Sequence, residues 1–298
     1  MKRLMLIVNP KSGKGRGEKV KDSIVDVFRK HGWESIEYIT ERRGHATEFA
    51  RDHGTGYELL VCVGGDGTLS EVMNGLMMLP KDARPTVGYI PLGTANDVAS
   101  SLHLSKKPEK AAEMIMTGTP MELDIGTMGD KAFTYIIAFG AFTDVPFTTP
   151  QKMKNILGHL AYVIEGASRI PSIETYRVKT TYDDGEAEGD YLFGCIMNTM
   201  SVGGIVKFDP ATVGLSDGYF EVILVKKPPH FTDYAKIVAS VLSGKFDNEN
   251  IVFIHTKKVR FQIDRLASWT RDGEDGGLHD DVTSENICRA VKIIIPGE

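Results

Sequence analysis

Cysteine, net positive charge and long apolar runs are all scarce in this 298-residue chain, and each absence closes off a class of function. The three cysteines, Cys62, Cys195 and Cys288, are far apart, and each sits in an apolar run. They form neither a metal spacing nor an even-numbered disulfide set, so a reducing cytoplasm and three free, buried thiols are expected. The longest weakly polar run, Ala132 to Phe142, is well short of the roughly 20 residues of a spanning helix. The apolar run after Met1-Lys2-Arg3, Leu4 to Val8, is shorter than the roughly seven to fifteen residues of a signal core. It leads into Asn9-Pro10 and reads as a first strand. Lys and Arg number 35 against 40 Asp and Glu, a net charge of −5, so the basic footprint of a nucleic-acid binder is missing. No internal repeat or low-complexity tract is visible. What remains is a globular composition, 42% hydrophobic and 25% charged, with length enough for two ordinary cores.

The stretch around which the chain is organised runs from Leu59 to Gly75. Leu59 to Val63 reads as a buried parallel strand. It stops at Gly64-Gly65-Asp66-Gly67-Thr68, and a helix through Val72, Leu76 and Met77 follows. Strand, glycine turn and helix is the form of a phosphate-binding loop, in which backbone N–H groups and a helix N-terminus face an anion. Asp66 would repel phosphates unless a divalent cation bridged them, which suggests a Mg²⁺-nucleotide site. A plain turn with Asp66 capping the helix is the competing reading.

Two further strand ends carry similar loops. Leu4 to Val8 is followed by Asn9-Pro10-Lys11-Ser12-Gly13-Lys14-Gly15-Arg16-Gly17, a basic glycine-rich turn that lacks the Walker A spacing. The helix after it has Val20, Ile24, Val27 and Phe28 on one face and ends at Lys30-His31-Gly32. A strand over Ile36 to Thr40 and a helix from about His45 come next. Thr86 to Pro91 is another strand, then Leu92-Gly93-Thr94-Ala95-Asn96-Asp97 opens a helix, with Thr94, Asn96 or Asp97 as its cap. In an open parallel α/β sheet such ends share one edge, where ligands bind.

Beyond about Asp124 the texture changes to antiparallel β. Arg177 to Tyr182 alternates into an Asp183-Asp184-Gly185 hairpin signal. Further strands are expected over Tyr191–Met197, Tyr219–Val225, Ile251–His255, Val259–Ile263 and Ala290–Ile295, with one helix over about Phe231 to Leu242. The division is therefore 1–124 and 125–298, with the last strand free to pack back on the first domain. A helical stripe over Lys152 to Ala167 (Ile156, Leu160, Val163, Ile164) is either core or a lip for an apolar substrate or membrane surface. By composition alone, Arg271 to Gly277 reads as a solvated acidic turn.

With these motifs assembled, the chain resembles the diacylglycerol kinase catalytic domain family, in particular the soluble bacterial diacylglycerol kinases. The resemblance rests on Gly64 to Thr68 with Glu71 and Asn74-Gly75, Asn9-Pro10-x-Ser12-Gly13, and Pro91-x-Gly93-Thr94-x-Asn96-Asp97. Asp124-Ile125-Gly126, Leu215-Ser216-Asp217-Gly218-Tyr219-Phe220 and Asp272-Gly273-Glu274 complete it. Gly-Gly-Asp-Gly-Thr by itself is shared with NAD kinases. Ser70 stands where the family often has Asn, and Ser216 where it often has a second Asp.

The resemblance implies an N-terminal open parallel α/β nucleotide domain, a C-terminal antiparallel β-sandwich for lipid, and an active site in the cleft between them. It implies phosphoryl transfer from ATP, with Mg²⁺, to the hydroxyl of diacylglycerol, giving phosphatidic acid. Asn9, Ser12, Gly13, Thr40, Gly65, Asp66, Gly67, Thr68, Glu71 and Thr94 would contact the nucleotide, with Pro10, Lys11, Lys14, Leu69 and Ser70 in the same motifs. Glu274 would be the general base and Asp66 the second catalytic group. Asp217 would hold Mg²⁺ with the main-chain oxygens of Gly214 and Tyr219. The expected setting is cytoplasmic with peripheral membrane contact and no nucleic-acid partner, and a homodimer is left open. Another lipid alcohol (phosphatidylglycerol or a sphingoid base), NAD as substrate, and a catalytically silent lipid- or nucleotide-binding regulator are the alternatives.

Overall fold

A computed structural model describes residues 2–141, 174–199, 201–202, 206–207, 214–230 and 233–297. The Lys152 to Ala167 stripe lies outside the described residues. The chain divides into two compact units: residues 1–125 with 288–298, and residues 126–287.

The first unit is built on β1 (Lys2–Val8), β2 (Trp33–Ile39), β3 (Leu59–Gly64) and β4 (Thr86–Pro91). They are parallel and ordered β2-β1-β3-β4, and the end of β15 (Glu274–Ile295) adds a parallel contact of Ile293 with Val87. The strands read as continuous apolar runs because both sheet faces are covered. Leu4, Leu6, Val8, Val61 and Val63 pack with Ile24, Val27 and Phe28 of α1 (Ser12–Lys30) and Ala111, Ala112 and Ile115 of α5 (Pro108–Thr117). The alternate residues Met5, Ile7, Leu60 and Cys62 are equally buried, and α3 (Asp66–Met77), which buries Leu69, Val72, Met73 and Leu76, packs on β3. Helix α2 (His45–His53) packs on α3. Gly75 allows it: a Cβ there would lie 2.8 Å from the Ala50 Cβ and would run into the Thr47 carbonyl oxygen. From β1 the chain steps outward to β2, then returns past β1 to β3. The reversal of direction falls between β1 and β3, where open α/β sheets bind ligands.

The second unit is antiparallel. Its strands are the end of β5 (Thr119–Met128), β6 (Lys131–Phe133), β7 (Ile136–Gly140), β8 (Tyr176–Tyr182), β9 (Gly185–Met197), β10 (Ser201–Val202), β11 (Val206–Lys207), β12 (Phe220–Lys226), β13 (Ile251–Thr256), β14 (Lys258–Arg271) and most of β15. Strand β9 pairs with β8 along its first half and with β7 along its second. Strand β14 does the same, with a register break between Gln262 and Ala267. Four strands thus close around Phe139, Tyr191, Phe261 and Trp269, all within the buried cluster. The helix expected near Phe231 is α6 (Asp233–Ser243).

Two expectations are corrected. Cys62 and Cys195 are buried, but Cys288 is exposed. It precedes Arg289, whose φ of 52° breaks the alternation that buries Val282, Ser284 and Asn286. The acidic segment Arg271 to Gly277 is not one long solvated turn. Asp272 and Gly273 alone form a two-residue left-handed turn, φ 49° and 78°, between the paired Arg271 and Glu274. Among the described residues no helix is long and apolar enough to cross a membrane.

Gly75→Ala tests the α2–α3 contact. Alanine favours a helix by about 1 kcal/mol, but the added methyl meets backbone and a neighbouring Cβ that cannot withdraw, an overpacking of roughly 1–3 kcal/mol. The expected outcome in urea unfolding is a net loss of stability. A gain would show that the two helices separate freely.

Candidate active site

Three loops come together at the carboxyl edge of the first unit's sheet. The first begins at Asn9, whose N–H donates to the Val63 carbonyl (2.9 Å) and whose Nδ2 donates to Thr68 Oγ1 (3.0 Å). One asparagine therefore ties the ends of β1 and β3 together at the reversal point. Its Oδ1 accepts the Lys11 N–H at 3.0 Å. Gly13, Lys14 and Gly15 then follow with φ of 60°, 62° and 81°. For Lys14 the left-handed conformation costs about 1–2 kcal/mol. Turns of this kind let successive N–H groups converge on an anion. Pro10 and Ser12 are half-buried, and the side chains of Lys11, Lys14, Arg16 and Lys19 are exposed around this turn.

The second loop is Gly64 to Thr68, leading into α3, and the third is Leu92 to Asp97, leading into α4 (Asp97–Ser101). Their backbones nearly touch. A Cβ on Gly93 would lie 2.8 Å from the Gly65 Cα, and one on Gly13 would lie 2.8 Å from the Leu92 carbonyl oxygen. The Leu92 N–H donates to the Gly64 carbonyl at 2.6 Å. Asn96, left-handed at φ 54°, donates its N–H to Asp66 Oδ2 (2.7 Å) and its Nδ2 to the Gly93 carbonyl (2.8 Å). The Asp66 carboxylate is thereby fixed in the first turn of α3. Gly65, Asp66 and Gly67 are half-exposed and Thr94 is exposed, so this face of the loops is accessible.

Other expected residues support the loops from beneath. Leu69 and Ser70 are buried, and the Leu69 N–H is taken by the Gly65 carbonyl, so their side chains face the core. Glu71 accepts the N–H groups of Gly44 (2.8 Å) and Ala46 (3.2 Å), which caps α2 and holds the segment after Thr40. Thr40 is buried, its N–H bonded to Val8. Sequence reasoning did not assign Asn96 its link to Asp66. Its place in an Asn-Asp pair before a helix was the signal.

In the second unit, Glu274 is exposed on the strand leaving the Asp272-Gly273 turn. Asp272 is almost fully buried and accepts three main-chain N–H groups, from Thr134 (2.8 Å), Tyr135 (2.9 Å) and Ile136 (3.2 Å), while its own N–H donates to the Ile136 carbonyl. Glu274 is therefore presented from a turn clamped at its neighbour.

Asp217 folds over Gly214, so closely that its carboxylate occupies the space of a Gly214 Cβ, and its Oδ1 accepts the Tyr219 N–H at 3.0 Å. The Tyr219 carbonyl accepts from Asn286 Nδ2 at 2.9 Å. Next to them Glu221 is fully buried, with no hydrogen bond to either carboxylate oxygen, and His255 Nδ1 is 3.4 Å from one of them. Burial, reinforced by the nearby Asp217 charge, pushes the Glu221 carboxyl up to about 8. An all-oxygen donor set beside a buried carboxylate lacking hydrogen bonds fits a hard divalent cation such as Mg²⁺. Among the described residues no three His, Cys, Asp or Glu side chains cluster as a metal site.

The comparisons with known proteins meet this geometry. The family model described as the diacylglycerol kinase catalytic domain matches residues 3–128. A diacylglycerol kinase of Bacillus subtilis is 32% identical over 100% of this chain and 98% of its own length. The chain belongs to the diacylglycerol kinase catalytic domain family. One from Staphylococcus saprophyticus is 38% identical, covering 93% of this chain and 90% of its own. A solved diacylglycerol kinase structure from Bacillus anthracis superimposes with a TM-score of 0.77 at 24% identity, covering 99% of this chain and 96% of that one, a likeness of fold. As a family member this chain is a kinase, and the three loops span most of the segment that the family model covers.

Asp272→Asn tests the clamp below Glu274. The amide keeps the shape but offers one acceptor oxygen to three N–H donors and turns an NH₂ toward them. Hydrogen bonds to a charged group contribute roughly 1.5–3 kcal/mol. A clear fall in melting temperature is expected, together with faster hydrogen exchange either at Thr134, which bonds one carboxylate oxygen, or at Tyr135 and Ile136, which share the other. Wild-type exchange at all three amides would show that the carboxylate is not their partner.

Proposed function

We propose that this kinase transfers the γ-phosphoryl group of ATP to the hydroxyl of diacylglycerol, giving phosphatidic acid and ADP. The observation that carries the reading is the convergence of three loops around Asp66 at the N-terminus of α3. Backbone N–H groups and a helix dipole suit the nucleotide's phosphates, and the fixed carboxylate suits their Mg²⁺. Phosphoryl transfer is chiefly positioning and charge neutralisation, which such a cradle provides. Asn9, Ser12, Gly13, Thr40, Gly65, Gly67, Thr68 and Thr94 form or border the nucleotide site in this proposal. Lys11 and Lys14 add charge at its rim, and Leu69, Ser70 and Glu71 hold it in place.

The lipid hydroxyl needs a proton acceptor, and Glu274 takes that role. The hydroxyl oxygen forms the new P–O bond as the bond to the β-phosphate's bridging oxygen breaks. The proton goes to Glu274, and ADP leaves with the negative charge. When bound, Mg²⁺ neutralises phosphate charge and supports the leaving group. A second ion at Asp217 with the main-chain oxygens of Gly214 and Tyr219 would act structurally, within the second unit. The place of work is the cytoplasmic face of a membrane, where the acceptor resides.

The test is transfer from labelled ATP to a panel of neutral and anionic lipid alcohols, sphingoid bases and NAD in mixed micelles. Diacylglycerol is expected to be the acceptor of highest kcat/KM. Preference for another alcohol replaces the acceptor in this proposal, and labelling of NAD alone overturns it. Asp66→Ala is expected to abolish turnover. Glu274→Gln is expected to bind a non-hydrolysable ATP analogue like the wild type and to lower kcat by roughly 10²–10⁴. Near-normal kcat in that variant would remove Glu274 from the chemistry.

Added Mg²⁺ should raise the melting temperature of the wild type and not that of Asp217→Ala, because a ligand stabilises only the state that binds it. Equal responses would exclude Asp217 as the ion's holder.

A further inference from the structure

Across the Asp272-Gly273 turn, Arg271 stands directly opposite Glu274 in the ladder. Residues paired in an antiparallel ladder carry their side chains on one face of the sheet. On its other side Arg271 pairs with Ile137, and two residues earlier Trp269 pairs with Phe139, all three fully buried. The guanidinium therefore sits at the end of an apolar face rather than in open solvent. Its Nη1 is buried and has no hydrogen-bond partner. No ion pair closes between this guanidinium and a carboxylate among the described residues. An arginine stays charged at every working pH. Half-buried charged donors are ordinarily paired, and a lone one is an unsatisfied group.

We propose that Arg271 is a binding residue for lipid-borne phosphate beside the reacting hydroxyl. The inference rests on the reading of Glu274 as proton acceptor. The arrangement separates two tasks on one hairpin. The glutamate receives a proton from the hydroxyl, and the arginine fork receives phosphate oxygens next to it. An Arg271–Glu274 ion pair would weaken the base and occupy the fork, so leaving the guanidinium open serves both. Planar guanidinium groups bind phosphate through paired N–H donors, a geometry that lysine does not reproduce. Two sources supply that chemistry: the phosphoryl group arriving on the acceptor, or a phosphodiester already in the acceptor's head group.

The experiment compares wild type, Arg271→Met, which keeps the apolar stem, and Arg271→Lys, which keeps the charge without the fork. Each is assayed with diacylglycerol and with phosphatidylglycerol, and binding of short-chain phosphatidic acid is measured by calorimetry. If the arriving phosphoryl is the ligand, Arg271→Met loses about tenfold or more in kcat with diacylglycerol and a similar factor in phosphatidic acid affinity. The KM for ATP stays unchanged, and Arg271→Lys recovers part of the loss. If a head-group phosphodiester is the ligand, the loss appears in the KM for phosphatidylglycerol alone. Should Arg271→Met fail to fold, the same measurements on Arg271→Lys decide, because the fork is lost there too. Wild-type behaviour of the folded variants in both rates and binding overturns the inference. A wild type that phosphorylates neither lipid refutes the proposed function instead, while the calorimetric comparison still judges Arg271.

Discussion

Two glycine Cα atoms, Gly65 and Gly93, face each other so closely that a Cβ on Gly93 would lie 2.8 Å from the Gly65 Cα, and one on Gly65 3.1 Å from the Gly93 Cα. The rest of the sheet's carboxyl edge depends on that approach. It brings Asn96 within hydrogen-bond reach of Asp66, and it lets the Leu92 N–H, just past the end of β4, donate to Gly64 at the end of β3. With a methyl on Gly93, which would also meet Asn96 Oδ1 at 2.8 Å, the loops would have to shift and strain the contact that aims Asp66. Asn9 performs the same service on the other side by tying β1 to Thr68. The site thus sits on strand ends and helix starts, with the apolar sheet beneath it as support.

The two carboxylates proposed for the chemistry are held by different means. Asp66 is fixed by one main-chain N–H from a neighbouring loop. Glu274 is positioned indirectly, through Asp272 and its three main-chain donors. A base that must accept a proton cannot itself be saturated with donors, because each one stabilises the anion and weakens it. Clamping Asp272 keeps the turn rigid without adding a donor from that clamp to the glutamate. Arg271 stands opposite Glu274 on the same hairpin, with its Nη1 buried and without a hydrogen bond.

Glu221 shows the reverse situation. Its carboxyl is fully buried with neither oxygen hydrogen-bonded, so burial favours the protonated form. A bound cation would favour the anion. The environment that penalises the charge by itself is the one in which a neighbouring cation gains most from it.

The α/β character of the first unit, the β character of the second and the three glycine loops are legible in the sequence, because these follow from local periodicity and from backbone conformations that glycine allows. The sequence also carried the motif of the family. Tertiary structure alone decided what depends on contacts between distant segments. Glu71 caps α2 rather than lying open, Leu69 and Ser70 face the core, and Asp272, read as solvated, is the most firmly held acid of its turn. Cys288 is exposed because one left-handed residue breaks a strand's alternation. The link between Asp66 and Asn96 joins residues 30 apart, and the clamp on Asp272 joins residues about 137 apart. A side chain's partner is set by where the fold brings the two segments together, and no local pattern encodes that distance.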